Sequence, residues 1–392
     1  MLNVLGRLRR MKRYVILLAS VVMQLVLGGV YAWSAFVPAL QAQYGLTGWQ
    51  GGSIFGTTII VFTVTLFWAG PHLPRIGPRR MAAAGGLCYG LGYLVAGYSG
   101  GTWWGIGLGI GLLSGIGIGL GYVCPLTTCV RWFPRYKGLV TGIAVAGFGG
   151  GALLLAEIVA RQLEMGHSPL AIFRGLGVVL GLLIILCAMA LSWPATDADA
   201  DHHAAAANAA QGWRRDVRFW RMVAGMFGGT FGGLLIVGHL APIAVGTGLN
   251  VEQAAWAVGS FSVGNALGRI VWGWMHDHYG HWVVTISMFF LAVALFSLGW
   301  APTASVFILL ALAAGFGFGA CFVVFAAEVA ACYGHQAVAI LYPKIFLAYG
   351  VAGVAGPPVG GVLYDLTGGY WGPIVLAAGL ALAGALSQLI RD

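Results

Sequence analysis

The chain has 392 residues, of which 59% are hydrophobic and 8% charged. A soluble globule carries about 25% charged residues, so a water-soluble globular fold is excluded, and 15 Trp, 14 Tyr and 20 Phe exclude disorder. The formal net charge of +9 sits on basic residues scattered over separate short segments, which argues against a nucleic-acid footprint.

Twelve apolar stretches reach the ~20 residues that a membrane-spanning helix needs, at roughly 14–40, 50–70, 81–99, 103–130, 138–161, 170–194, 218–247, 252–275, 282–301, 303–331, 338–363 and 368–390. The first follows Arg7, Arg9, Arg10, Lys12 and Arg13 and holds Tyr31 and Trp33. A secretory signal core is only ~7–15 residues long, so this stretch reads as an uncleaved helix. In the fourth, Gly107, Gly111, Gly115 and Gly119 stand four apart ahead of Tyr122. Small faces of this kind let helix backbones approach closely in lipid, and they also suit surfaces that slide. The alternation of Gly105, Gly107, Gly109 and Gly111 is not a β-barrel signal, because the flanking runs are continuously apolar. The fifth places Glu157 and Arg161 one turn apart, as a local ion pair.

A hydrophilic stretch from Ala195 to Asp216, with Asp197, Asp199, Asp201, His202 and His203, separates six spans from six. It reads as a linker in preference to a metal site. The expected organisation is a bundle over 1–194, a linker over 195–217 and a second bundle over 218–392. In the second half, His239 falls in the seventh span, Asn265 and Arg269 in the eighth, Asp277 in the loop after it, Glu328 in the tenth, and Lys344 and Tyr349 in the eleventh. Six cysteines all lie in or at the ends of spans, without a C-x-x-C pair, and read as small buried hydrophobes. No metal and no cofactor is expected.

Sixteen of the 20 basic residues fall in segments on one side of this arrangement, which places both termini in the cytoplasm. Gly70 and Gly77, between the second and third spans, share a G-x(6)-G spacing with Gly273 and Gly280, between the eighth and ninth. The first and seventh spans are offset by about the same distance. Such a parallel repeat describes two six-helix bundles related by an axis along the membrane normal, with a substrate site near the midplane where the halves meet.

With Arg161 and Arg174 placed on the outer side, only Arg269 and Lys344 remain as cations inside the spans. A charge at the bilayer centre costs at least ~2.5–3.5 kcal/mol and demands a reason. No carboxylate lies one turn from Arg269; Asn265 does. A planar guanidinium in an apolar setting fits a carboxylate through two parallel hydrogen bonds. The alternative is a structural ion pair with Glu328. Lys344 either snorkels to the nearby loop or pairs with Glu328.

The loops at Gly70–Arg80 and Gly273–His281 are similar to the signature G-x-x-x-D-R-x-G-R-R of the major facilitator superfamily. Pro74 replaces the acid in the first copy, and Asp277 keeps it in the second as a gating-loop residue. Gly29, Tyr31, Trp33 and Phe36, then Gly121, Tyr122 and Pro125 followed by Arg131, Pro134, Arg135, Lys137, Gly138 and Gly142, and finally Gly350, Gly353 and Pro357, resemble the oxalate/formate antiporter family and its monocarboxylate-transporter relatives. The resemblance implies an all-α membrane protein of twelve transmembrane helices in two six-helix bundles, the major facilitator fold. In the oxalate exchangers a lysine in the eleventh helix supplies a second cation; Tyr349 stands there instead. Many monocarboxylate transporters carry Asp-x-x-x-Arg in the eighth helix, where this chain has Asn265 and Arg269.

The resulting expectation is a secondary transporter in the inner cell membrane that carries small monocarboxylates such as lactate by alternating access with a proton. The alternative is an organic anion exchanger of the oxalate/formate type. Arg269, Asn265, Tyr122, Tyr31 and Tyr349 are the substrate-binding candidates. His239 is the first proton-coupling candidate because an unperturbed imidazole titrates near ~6.5, with Glu328 and Lys344 beside it. An enzyme and a ligand-sensing receptor are disfavoured, since the loops are short and hold no nucleophile-and-base set.

Overall fold

The structure, a computed structural model, describes residues 2–194 and 212–389. The expected linker with its acidic and histidine residues lies largely outside them, as do the side chains of Arg7, Arg9 and Arg10 and residue Arg391. The first half contains α1 (Leu2–Gly28), α2 (Trp33–Tyr44), α3 (Gly48–Ile76), α4 (Pro78–Gly97), the short α5 (Trp103–Ile106), α6 (Gly115–Trp132), α7 (Lys137–Glu164) and α8 (Pro169–Ala190). The second contains α9 (Val217–Gly246), α10 (Val251–Tyr279), α11 (Trp282–Ser297), α12 (Ala304–Ala320), α13 (Val324–Cys332), α14 (Val338–Thr367) and α15 (Trp371–Ser387). With α1 and α2, α5 and α6, and α12 and α13 each read as one broken pass, these make the expected twelve helical passes among the described residues. Nine stretches are long and apolar enough to cross a membrane by length and composition.

Local signals explain the starts. Thr47 and Gln50 form a capping box at α3, through Gln50 N donating to Thr47 Oγ1 at 3.2 Å and Thr47 N to Gln50 Oε1 at 2.9 Å. Asn250 and Gln253 repeat the device at α10. The glycine alternation of the fourth pass becomes a π-helical segment, Gly107–Ser114, between α5 and α6. Side-chain-free positions tolerate that wider turn, which re-registers the helix before Tyr122. Large apolar side chains such as Val179, Leu182 and Leu186 on α8 are exposed, as lipid-facing residues are.

The chain divides into two compact units, Met1–Pro134 with Gly150–Ala207, and Arg135–Gly149 with Asn208–Asp392. The first turns of α7 thus group with the second unit. In the first unit α4 lies on α8 and α6 through glycine: a methyl on Gly90 would come within 2.8 Å of the Gly177 carbonyl oxygen. The second unit is held by a tighter seam between α10 and α12. A methyl on Gly264 or Gly268 would strike the backbone of Leu312 or Phe316, and one on Gly315 or Gly319 that of Phe261 or Asn265. Trp272 Nε1 donates to the Phe316 carbonyl at 3.0 Å across this seam. It fixes the register of α10, and hence the height of Arg269.

Candidate functional site

Arg269 is fully buried on α10. Its Nε donates to Asn265 Oδ1 at 3.0 Å, one turn back on the helix, and its Nη1 to the Val145 carbonyl of α7 at 2.9 Å. The guanidinium lies over the Phe322 ring, 4.2 Å from Cζ to the centroid. Phe322 sits in the break between α12 and α13, where Tyr342 donates to its carbonyl at 3.0 Å. Arg269 Nη2 is buried without a hydrogen-bond partner among the described residues. No carboxylate pairs with Arg269 among them either, so the positive charge is held by a neutral amide, a carbonyl dipole and an aromatic face. Such groups fix the fork in place without neutralising it. What the arrangement can do chemically is present a charged, desolvated N–H edge to an anion.

The structural ion pair considered for Arg269 is not formed. Glu328 Oε2 instead accepts from His276 Nε2 at 2.7 Å, and Glu328 Oε1 from Cys332 Sγ at 3.3 Å. The same pairing overturns a Lys344–Glu328 bridge: Lys344 Nζ donates to the Ile340 carbonyl at 3.0 Å and lies 5.7 Å from the Trp213 ring. His239 is half-buried between α9 and α14, donating from Nε2 to the Pro357 carbonyl at 2.8 Å. Tyr349 is buried and its ring packs on Phe322 at 5.4 Å, so it joins Arg269 through a shared aromatic neighbour.

Asp277 lies at the end of α10. Its two carboxylate oxygens accept from Gly138 N at 2.7 Å and Leu139 N at 2.8 Å, the free N–H groups at the start of α7. A carboxylate there satisfies orphan donors and complements the helix dipole. Gly138 and Gly142 allow this, since a methyl on either would meet the backbone of Gly273 or Arg269. Outside the spans, Asp216 caps α9, accepting from Arg218 N at 2.9 Å and from the Tyr333 hydroxyl at 2.6 Å. Partial burial opposes its ionisation, but the hydrogen bonds from Arg218 and Tyr333 outweigh this and hold its carboxyl below the ordinary value. Burial and the neighbouring Asp216 push the Tyr333 phenol up.

Tyr31 and Tyr122 belong to the first unit. Tyr122 is buried with its ring 5.3 Å from Phe62, and Gln24 donates to its carbonyl at 3.2 Å. Tyr31 lines a cavity of about 400 Å³ with Trp33, Val37, Pro38, Gly51, Gly52 and Phe55. Glu157 and Arg161 form the expected one-turn pair at 2.7 Å, largely exposed. Sequence reasoning missed Phe322, the Val145 carbonyl and His276. The first two contacts are set by helix register. His276 is the one with a signal in the sequence, seven residues beyond Arg269 on the same helix.

The family model of the Major Facilitator Superfamily matches residues 16–247 and 229–391. The chain is 28% identical over 348 residues to YhjX of Escherichia coli, described as an uncharacterized MFS-type transporter, covering 87% of this chain and 86% of that one. It is 24% identical to the oxalate:formate antiporter of Oxalobacter formigenes, over 89% and 84% of the two chains. Human monocarboxylate transporter 11 is 28% identical over 79% of this chain and 68% of its own. Among solved structures, the FucP transporter in the outward conformation superposes with a TM-score of 0.72 at 16% identity, covering 95% of this chain and 98% of that one. The organic anion transporter MFSD10 (TETRAN) of human origin gives 0.72 at 16%, over 97% and 99%. A low-identity likeness of this kind supports the fold alone; the family model covers nearly the whole chain. The chain belongs to the Major Facilitator Superfamily and is a multi-pass membrane transporter, not an enzyme.

Proposed function

We propose that the protein carries small monocarboxylates of the lactate type across the inner membrane by alternating access, together with a proton, with both termini in the cytoplasm. The observation that carries the reading is the buried Arg269, whose Nη2 has no hydrogen-bond partner and whose charge has no acid partner among the described residues. An uncompensated buried charge is costly, and a bound carboxylate removes that cost through two charge-assisted bonds. Asn265 orients the fork and offers its amide to a substrate hydroxyl. Tyr349, Tyr122 and Tyr31 are the further binding candidates. A single cation in this layer among the described residues, with Tyr349 where the oxalate exchangers have lysine, favours one carboxylate over two. An anion moving alone carries charge against the field at ~2.3 kcal/mol per 100 mV, and a proton moving with it makes the step neutral.

A second reading is exchange of organic anions. It is favoured by Asn265, which stands where proton-coupled relatives carry an aspartate and which takes up no proton. Uptake into proteoliposomes separates the two, with labelled lactate and oxalate measured with and without an inward proton gradient. Symport gives lactate accumulation that follows the gradient. Accumulation that ignores the gradient and needs an internal anion overturns symport in favour of exchange.

A further inference from the structure

We propose that His276 and Glu328 form the proton-binding site of the transport cycle, sealed by the start of α7. The inference rests on the symport reading above and names the groups that reading leaves open. The two side chains are 2.7 Å apart and nearly buried, at 6% and 13% exposure. Among the described residues this is the one ion pair drawn from two different membrane-spanning helices, α10 and α13. The other candidates are placed for different work. His239 is committed to the Pro357 carbonyl, and Lys344 reaches back to its own helix beside the loop.

The proton balance is simple. With neutral imidazole donating Nε2–H to the carboxylate, the pair bears one negative charge; a proton taken up at Nδ1 gives imidazolium and carboxylate, with no net charge. The neutral form suits a dry site and the charged form needs water. The pair therefore keeps its proton while covered and yields it to whichever side admits water. No other bond forms or breaks.

The cover is visible. Lys137 at the start of α7 donates to the carbonyl of Ala330, two residues from Glu328, at 3.4 Å, and Asp277, next to His276, holds Gly138 and Leu139. His276 stands seven residues from Arg269, about 10 Å down the same face of α10. The first half of α7 touches that helix at both heights, through the Val145 carbonyl at Arg269 and through Asp277 beside His276. Release of this segment exposes the pair, and substrate at Arg269 acts on the same segment through Val145. The charged and titratable groups around the pair are Asp277 on α10, Lys137 on α7, Cys332 on α13, and His281 at the start of α11, which acts on Glu328 electrostatically. From the start of α9 and the loop after α13, Arg218 and Asp216 act on Cys332, and Tyr333 bonds to Asp216. On α14, Lys344 faces Trp213.

The test uses the full chain in proteoliposomes, with lactate as the probe. A 1:1 neutral symporter accumulates its substrate about tenfold per pH unit of gradient. His276→Gln and Glu328→Gln are expected to lower that ratio to about one, while lactate counterflow without a gradient survives. Full accumulation by either variant overturns the proposal, and so does parallel loss of counterflow in a variant whose thermal unfolding is unchanged. If both variants fail to fold, the exchange His276→Glu with Glu328→His keeps the pair; it is expected to restore gradient-driven accumulation, and a folded exchange variant that ignores the gradient overturns the proposal. The parent reading fails differently. Wild-type protein that neither exchanges nor accumulates lactate sinks the substrate assignment, and one that exchanges it but ignores the gradient sinks symport and the proton site with it.

Discussion

Arg269→Lys separates a substrate anchor from a structural charge. Arginine meets Asn265 with Nε and the Val145 carbonyl with Nη1, leaving Nη2 to an incoming anion. A lysine has one nitrogen at the end of a flexible stem. Once it satisfies Asn265 or Val145, it offers a carboxylate one bond where the guanidinium offers a planar pair. Loss of one charge-assisted bond costs ~1.5–3 kcal/mol, which is about 10- to 150-fold in affinity. The charge itself is kept, so the fold is expected to survive with unfolding shifted by no more than ~1–2 kcal/mol. The assay pairs lactate binding, read as ligand-dependent thermal stabilisation of purified protein, with counterflow in proteoliposomes. Wild-type affinity in the lysine variant refutes the anchor, and so does collapse of folding with residual affinity unchanged.

Asp277→Asn keeps the shape of the α7 cap but removes its charge. It is expected to cost ~0.5–2 kcal/mol locally, seen as faster amide exchange at Gly138 and Leu139 and slower transport. Unchanged exchange there denies the cap its role. Gly268→Val places two methyls against the backbone of Phe316, and loss of folded protein is expected, whereas Gly259→Val, where nothing lies within 4 Å, is expected to fold. Equal yields of the two refute the seam. Because Asp216 is held below the ordinary carboxylate value, its cap on α9 is complete above about pH 4 and is lost as pH falls through the depressed value. Tyr333→Phe removes one bond to the ionised form, so loss of the cap, followed by amide exchange at Arg218 and Phe219, is expected to begin at higher pH; a shift to lower pH contradicts this.

The helical passes were legible because bilayer thickness imposes a minimum apolar length, and basic residues mark the turns. Arg269 was legible through scarcity, and its bond to Asn265 through the one-turn spacing. What escaped depends on how neighbouring helices line up. Nothing in the local spacing of Glu328 says that it meets His276 of α10 in preference to Lys344 or Arg269. That choice follows from a glycine seam whose closeness fixes α10 against α12 and leaves His276 level with α13. The π-helical turn at Gly107–Ser114 escaped for a related reason: the glycines announce close packing, while the altered hydrogen-bond register depends on which carbonyls the partner helix α4 leaves room for.

The seam between α10 and α7 links Arg269 to the cap at the start of α7. On α7, Gly138, Gly142, Val145 and Gly149 are spaced four, three and four, which is one helix face. On α10, Arg269, Gly273 and Asp277 stand four apart and meet that face in the opposite sense. Each small residue on one helix lets the other present a polar group: Gly138 faces Gly273 and admits Asp277, and Gly142 lies against the Arg269 backbone and brings the Val145 carbonyl within reach of the guanidinium. α10 carries Glu252, Arg269, His276, Asp277 and His278, and it is not among the nine stretches that are apolar enough to cross a membrane on composition alone. Its neighbours on α7, α12 and α13 hold the polar face inward, while Val263, Leu267 and Val271 are exposed as lipid-facing residues are. The polar side chains that lower its mean hydropathy, Asn265, Arg269, His276 and Asp277, are each engaged in hydrogen bonds to one another or to those neighbours.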